Sequence, residues 1–383
     1  MKNRIINILE KDGFVKIFSS FLAIIIGLLL GLIILLISNY RDALPAFWTI
    51  LLGGFSGGSR GMGQVIYTAT PLILTGLSVG FAFKNGLFNI GAPGQFIIGA
   101  YAAVLVGVKC VWLPSGLHWI FALFVSFIAG GLWAYLPGLL KAKFNVNEVI
   151  SSIMMNYIGM YLVNYLVTLT VYDVLKNQSQ NIPPSGTIPT MGLNAIFRGS
   201  SANGGFFIAI IMVIIIYIIL SKTTFGFELK ACGLNKEASR YAGINEKRNI
   251  ILSMVIAGAL AGLGGGLLYL SGVGKHIEVV DILAEEGFTG IPIALLGLSH
   301  PVGILIAGIF IAHITVGGFY MQIYDFTPEI IEMIISAIIY FSAFALLFRS
   351  IVGVFVNLLS SIISAFEFVF RSIVGFISKK LKS

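Results

Sequence analysis

Few residues in this sequence are of a kind that makes or breaks bonds. Its four histidines, His118, His276, His300 and His313, lie far apart, and its 2 cysteines, Cys110 and Cys232, have no partners at metal-ligand spacing. The densest run of titratable groups is Lys275, His276, Glu278, Asp281, Glu285 and Glu286. Paired carboxylates suit general acid–base work. No nucleophile or metal set accompanies these, so the run reads as a solvated turn between apolar stretches. A phosphate-binding G-x-x-x-x-G-K-[ST] loop does not occur, and Gly274-Lys275 lacks both the upstream glycine and the hydroxyl. No catalytic residue, metal ligand or ATP site is assigned to this chain.

Polar groups in apolar surroundings are the stronger signal. Residues 76–99 are glycine-rich and hold Asn85, Asn89 and Gln95 in or beside apolar sequence, with Pro93 breaking the helix. An unpaired amide in hydrocarbon costs on the order of several kcal/mol. Such groups face either protein, as interhelical hydrogen bonds, or a water-filled path. A second set lies on 149–171, where Asn156, Tyr157, Tyr161, Asn164 and Tyr165 follow Ser151 and Ser152. Asn156 and Asn164 are separated by about 12 Å along a helix axis and read as one polar wall. Phe88, Asn89, Gln95, Asn156, Tyr157 and Asn164 form the candidate substrate path. Packing is the alternative for each of them taken singly.

A third feature is a basic, water-compatible stretch between two apolar runs, TTFGFELKACGLNKEASRYAGINEKR at 223–248. Leu234 to Gly243 is expected to form a short amphipathic helix. Asn235 can cap it by accepting from a free backbone N–H. Ala238, Tyr241 and Ala242 fall on one face, and Lys236, Glu237 and Arg240 lie elsewhere. Held at a membrane face, this helix suits docking into a groove on a soluble partner; a plain solvated connector is the alternative. In the apolar run that follows, Gly258-x-x-x-Gly262 is a seam that lets two helices approach closely.

The elements that position these residues need lipid as solvent. Hydrophobic residues make up 57% and charged residues 10%, against about 25% charged in a soluble domain; mean hydropathy is +0.97. We expect an all-α polytopic membrane protein of about ten transmembrane helices, at 17–38, 62–83, 94–109, 119–140, 149–171, 205–221, 249–270, 282–298, 302–318 and 328–347. Segments 94–109, 282–298 and 302–318 fall short of the roughly 20 residues of a clean span. Alternating from an inside N-terminus places 18 Lys and Arg inside and 6 outside. That bias predicts cytoplasmic N and C termini and explains the net charge of +8 without nucleic acid. The organisation is a cytoplasmic segment 1–16, a transmembrane domain 17–348 containing the loop 222–248, and an amphipathic basic tail 349–383. Residues 42–63, with Trp48, read as an interfacial helix and a flexible turn. The long proline-bearing stretch 172–205 reads as an outer docking loop.

Three blocks agree in order with a known family: GLFNIGAPGQFIIGA (86–100), FGFELKACGLNKEASRYAGI leading into RNIILSMVIAGALAGLGGG, and EGFTGIPIALLGLSHPVGI (286–304). They resemble bacterial ABC-importer permeases of the subfamily serving branched-chain amino acids, simple sugars and nucleosides. The likeness covers roughly residues 20–348 and is greatest to purine-nucleoside importers fed by basic-membrane-protein-type lipoprotein receptors. It implies a type II importer-like bundle in the bacterial cytoplasmic membrane, working by alternating access. The partners it implies are a cytoplasmic ABC ATPase that binds ATP and Mg, a second and different permease subunit, and an extracytoplasmic substrate-binding lipoprotein. Coupling to the ATPase falls to Leu234, Asn235, Lys236, Glu237, Ala238, Arg240, Tyr241 and Gly243. Simple sugars or branched-chain amino acids are alternative substrates. An ion-gradient-driven secondary transporter is the rival of another class, with Glu148 and Glu332, both near span ends, as its candidate coupling acids.

Overall fold

The computed structural model describes residues 12–343. Most of the expected segment 1–16 and all of the tail 349–383 lie outside the described residues. The chain is a helical bundle. α1 (Asp12–Ser38) is followed by α2 (Ala43–Leu52), a 3-10 turn at Gly53–Gly57, and α3 (Gly58–Lys84). Then come α4 (Ala92–Lys109), α5 (Ser115–Phe144) and α6 (Glu148–Thr170). A small antiparallel hairpin, β1 (Tyr172–Asp173) and β2 (Gln178–Ser179), and the one-turn α7 (Leu193–Ile196) lead to α8 (Gly205–Lys222). α9 (Thr224–Leu234), α10 (Lys236–Tyr241), α11 (Glu246–Tyr269), α12 (Glu285–Leu296), α13 (Pro301–Met321) and α14 (Pro328–Ala343) complete the described chain.

Among the described residues, eight helices are long and apolar enough to cross a membrane, with 43–84 counted as one. Two of the ten expected segments do not reach that length. α14 is 16 residues as described. α12 has 12 residues and so covers about 18 Å. It begins inside the bundle: a Cβ on Gly287 would collide with Pro93 at the start of α4, and one on Gly290 would lie 2.6 Å from the Thr75 carbonyl carbon. α4 also begins inside, because the chain turns back after Lys84 and Asn89 already bonds to Ser78 of α3.

The turn expected near residue 55 takes 3-10 conformation over Gly53–Gly57. The 3-10 turn leads directly into α3, and Gly53 and Gly58 take positive φ. His313 of α13 holds it in place: its Nδ1 accepts from the Gly54 N–H (3.3 Å), which leaves Nε2–H to donate to the Leu51 carbonyl (3.2 Å). A second histidine, His118, is buried and likewise structural, with its ring nitrogens at 3.0 Å from Ser185 Oγ and the Val106 carbonyl.

α11 is the central post, packed on α5, α4 and α3. Ala and Gly fill its contact faces, so backbones meet directly. A Cβ on Gly262 would lie 2.7 Å from the Ser126 carbonyl oxygen and 2.8 Å from Gly130 Cα. One on Gly258 would lie 2.5 Å from the Gly130 carbonyl oxygen. Ser126 Oγ donates to the Gly262 carbonyl across this seam (2.6 Å). With no hydrophobic drive between helices in lipid, such close packing supplies the adhesion.

The helix ends define two faces. Lys84, the 141–148 turn with its Lys141–Glu148 ion pair (2.9 Å), Lys222 and α9–α10 lie on what we term the basic face. The opposite, far face carries the 172–204 and 270–284 stretches, which are stitched together by the Ser179 N–H to Ile277 carbonyl bond (2.8 Å) and the Ile188 N–H to Leu270 carbonyl bond (2.8 Å). Both cysteines are free, Cys232 buried and Cys110 half-buried.

Candidate functional site

Three places in this scaffold gather the polar residues. The first lies where α3 gives way to α4. Asn89, Gln95 and Asn156 are at most 1% exposed. Asn89 and Gln95 pair face to face: Asn89 Nδ2 donates to Gln95 Oε1 (2.8 Å) and Gln95 Nε2 donates to Asn89 Oδ1 (2.9 Å). Asn89 Nδ2 also donates to Ser78 Oγ (3.1 Å). Asn156 Oδ1 accepts from the Gly94 N–H (2.9 Å) and its Nδ2 donates to the Ile90 carbonyl (2.9 Å), which satisfies the irregular backbone ahead of α4. Glycine at 94 permits this, since a Cβ there would lie 2.8 Å from Asn156 Cα.

The residues of the expected substrate path are thus only partly brought together. Asn89, Gln95 and Asn156 are brought together, Asn89 and Gln95 bonding to each other and Asn156 to backbone. Phe88 stacks on Phe83 with ring centroids 5.3 Å apart. Tyr157 does not join the cluster; it points off the outer side of α6 and is 49% exposed. Asn164 is on the far-face end of α6, where Nδ2 donates to the Val280 carbonyl (3.0 Å) and to Asp281 (3.1 Å). Positions 156 and 164 thus serve different neighbours and form no common wall. Asn85 is buried as well, with Nδ2 donating to Ser253 Oγ (3.0 Å).

The second place is the stretch 223–248. It is two helices: α10 is the short helix expected between Leu234 and Gly243, and α9 precedes it. Leu234 ends α9, and Asn235 breaks the run with extended backbone (φ −155°) and caps α10 by accepting from the Ala238 N–H (3.0 Å). α10 ends in a Schellman motif: Ile244 N–H donates to the Ser239 carbonyl (3.0 Å), Gly243 N–H donates to the Arg240 carbonyl (3.0 Å), and Gly243 takes φ +83°. Ser239 is the buried residue of α10, whereas Leu234 and Tyr241 are 89% and 97% exposed. Ala238, Ala242, Glu237 and Arg240 are exposed too, and Lys236 is half-buried. Asn249 of α11 ties α9 down by donating to Glu228 Oε2 (3.2 Å). A capped, rigid helix thus presents apolar side chains outward with basic residues around them.

The third place is a cavity of about 700 Å³ between α3, α12, α13 and α14. Glu285, Glu286 and Thr289 of α12, Glu332 of α14, and the rings of Phe288 and Phe319 line it. Glu285 and Glu286 are the last members of the acidic run read as a solvated turn. That reading fits Glu278, which pairs its backbone with Gln178, and Asp281, which meets Asn164. Glu285, which is exposed, and Glu286, which is half-buried, open α12 at the rim of this cavity. Acids in the first turn of a short segment broken by Pro292 are the signal that could have found them. Among the described residues, no group of three or more His, Cys, Asp or Glu side chains has the arrangement to hold a metal ion.

A bundle with an exposed helix pair on one face and a solute-sized cavity toward the other has the parts a membrane permease needs. The chain belongs to the family of permease components of branched-chain amino acid transport systems, matched over residues 61–343. It is 38% identical over 333 residues to the guanosine ABC transporter permease protein NupP of Bacillus subtilis, covering 87% of this chain and 94% of that one. It is 36% identical to the nucleoside ABC transporter permease protein NupB of Lactococcus lactis, covering 86% and 91%. The glucose ABC transporter permease protein TsgB13 of Haloferax volcanii is 34% identical over a shorter stretch, 73% of this chain and 74% of its own. No solved structure matches the chain. The protein is thus an ABC transporter permease, an integral transport component of the cytoplasmic membrane.

Proposed function

We propose that this chain is the membrane subunit of an ATP-driven importer of nucleosides, with purine nucleosides as its main load. The carrying observation is that likeness to guanosine and nucleoside permeases runs at 36–38% identity through some nine-tenths of those proteins. ATP and Mg are bound by a separate cytoplasmic ATPase. It docks on the basic face, where Leu234, Ala238 and Tyr241 enter its groove and Asn235, Lys236, Glu237, Arg240 and Gly243 shape and flank the contact. The basic face is cytoplasmic, in keeping with the positive-inside bias. A substrate-binding lipoprotein delivers to the far face, over the 172–204 stretch, and a second, different permease completes the pathway. The glucose permease relative supports a second reading, a simple-sugar load.

Uptake of labelled guanosine, adenosine, ribose, glucose and leucine by cells expressing the whole transporter tests both readings. Guanosine is taken up and unlabelled adenosine competes, while leucine does not. Uptake of a sugar with no response to nucleosides overturns the first reading in favour of the second. Purification without any associated ATPase overturns the ATP-driven mechanism and favours a gradient-driven carrier.

A further inference from the structure

The far-face cavity has a sign. Glu285 and Glu286 from α12 and Glu332 from α14 line it together, and among the described residues no lysine or arginine does. Lys275 of the far-face loop bears on Glu285, as do Glu286 of α12 and Glu332 of α14. The backbone would set the opposite sign. α12 begins within the bundle, and a helix N-terminus carries roughly half a positive charge, which by itself attracts anions. Two carboxylates in that first turn and a third from α14 overturn it. The remaining polar lining is neutral, with Thr68, Thr289, Thr315, Gln322 and Ser336. Low-dielectric walls lined by charge of one sign concentrate solutes of opposite charge and deplete those of like charge by about ten- to a thousandfold.

We propose that this cavity is the substrate vestibule and that its three carboxylates are a charge filter. It admits uncharged or cationic solutes and turns away anionic ones, so that a nucleoside passes and its phosphate esters do not. Hydroxyl-rich solutes suit it doubly, since ionised carboxylates are acceptors only and need donors, while Phe288 and Phe319 offer apolar faces to a ring. The identity of the solute rests on the permease reading above; the sign of the filter does not.

The test measures the field directly in the full transporter. In a background of Cys110→Ala and Cys232→Ala, Thr289→Cys and, separately, Ser336→Cys place a thiol on two walls of the cavity. Each is modified with cationic and anionic methanethiosulfonate reagents of similar size at about pH 8, well above the usual carboxylate range. The cationic reagent is expected to react at least about tenfold faster at both positions. Glu286→Gln lowers the ratio, and E285Q/E286Q/E332Q brings it to the ratio of the free reagents. A ratio unchanged by these variants, or thiols unreactive to both reagents, overturns the filter. Guanosine is expected to slow the modification and guanosine 5′-monophosphate to leave it unchanged; equal protection by both also overturns the filter. An intact, carboxylate-dependent ratio without guanosine protection upholds the filter and places the failure on the nucleoside reading.

Discussion

The amide cluster at the start of α4 and the carboxylate cluster at the start of α12 occupy comparable positions, each where a helix begins inside the bundle. They obey opposite rules. Amides carry donors and acceptors in one group, so Asn89, Gln95 and Ser78 bond to one another and Asn156 bonds to backbone. Ionised carboxylates carry acceptors only. Glu285, Glu286 and Glu332 cannot satisfy each other, repel when close, and need water or a solute between them. One cluster therefore closes a break in the helices and the other holds a space open. A polar residue in apolar sequence says that something polar must meet it. Whether that is protein or solute depends on whether the set is self-complementary.

The largest expected effect comes from breaking the closed cluster. Asn89→Leu removes both partners of the Gln95 amide and the donor to Ser78. Leaving those buried groups unmet is expected to cost about 2–4 kcal/mol, read as a lower midpoint of thermal unfolding in detergent, and transport falls with the fold. Asn89→Leu with Gln95→Leu removes both halves of the pair and recovers at least about half of that loss, since apolar replacement of both partners is close to neutral. A passage lined by these amides behaves otherwise: the single variant stays folded without transport, and the double variant is no better.

The open cluster is expected to respond in the reverse way. Thr289→Trp puts bulk into existing space, so stability stays within about 1 kcal/mol, whereas uptake drops by about tenfold or more once a pocket of this size is filled. Loss of stability without a specific loss of uptake would mean that the space is a packing defect. Tyr241→Ala comes next. An exposed side chain touching nothing in the chain leaves stability within about 0.5 kcal/mol. If it anchors a partner, uptake and substrate-stimulated ATPase activity fall together by about five- to tenfold, as for a typical interface tyrosine. Unchanged coupling would remove α10 from the interface.

The sequence made the scaffold readable and the site only in part. Length and apolarity were enough for most of the spans, because lipid forces each segment to pair its own backbone. The Asn235 cap and Gly243 stop were readable because capping is local. What escaped was set by contacts between distant segments. The pairing of Asn89 with Gln95 depends on how 85–91 folds back under α3, and no periodicity encodes that. Asn156 and Asn164 share a helix, but neighbours from α4 and from the 280–281 loop divide them. Glu285 and Glu286 read as part of a solvated turn, and that they border a cavity follows from the close approaches of Gly287 and Gly290 to Pro93 and Thr75, which are tertiary facts.

The smallest effect tests the other end of the same half-helix. α12 starts among carboxylates and ends beside cations, with His300 between it and α13 on the basic face. The His300 ring meets Tyr217 edge-on, with centroids 5.8 Å apart. Partial burial, then the positive charge of Lys84, hold its pKa below the usual 6.5. A folded-state pKa below the unfolded one means that the unfolded chain takes up its proton first as pH falls. Stability is therefore retained above about pH 6.5 and declines on acidification from there toward the folded value. Because the ring is largely solvent-exposed, screening keeps the loss to under about 1 kcal/mol. Thermal unfolding across pH 5 to 8, roughly the window in which imidazole titrates, is expected to show this decline, and His300→Gln to flatten it. A decline of equal size in the variant would assign it to other groups. Should the variant lose the decline while the cavity's preference for cationic reagents is unaltered, the two ends of α12 act independently, and the acidic end owes its function to local charge rather than to the helix as a unit.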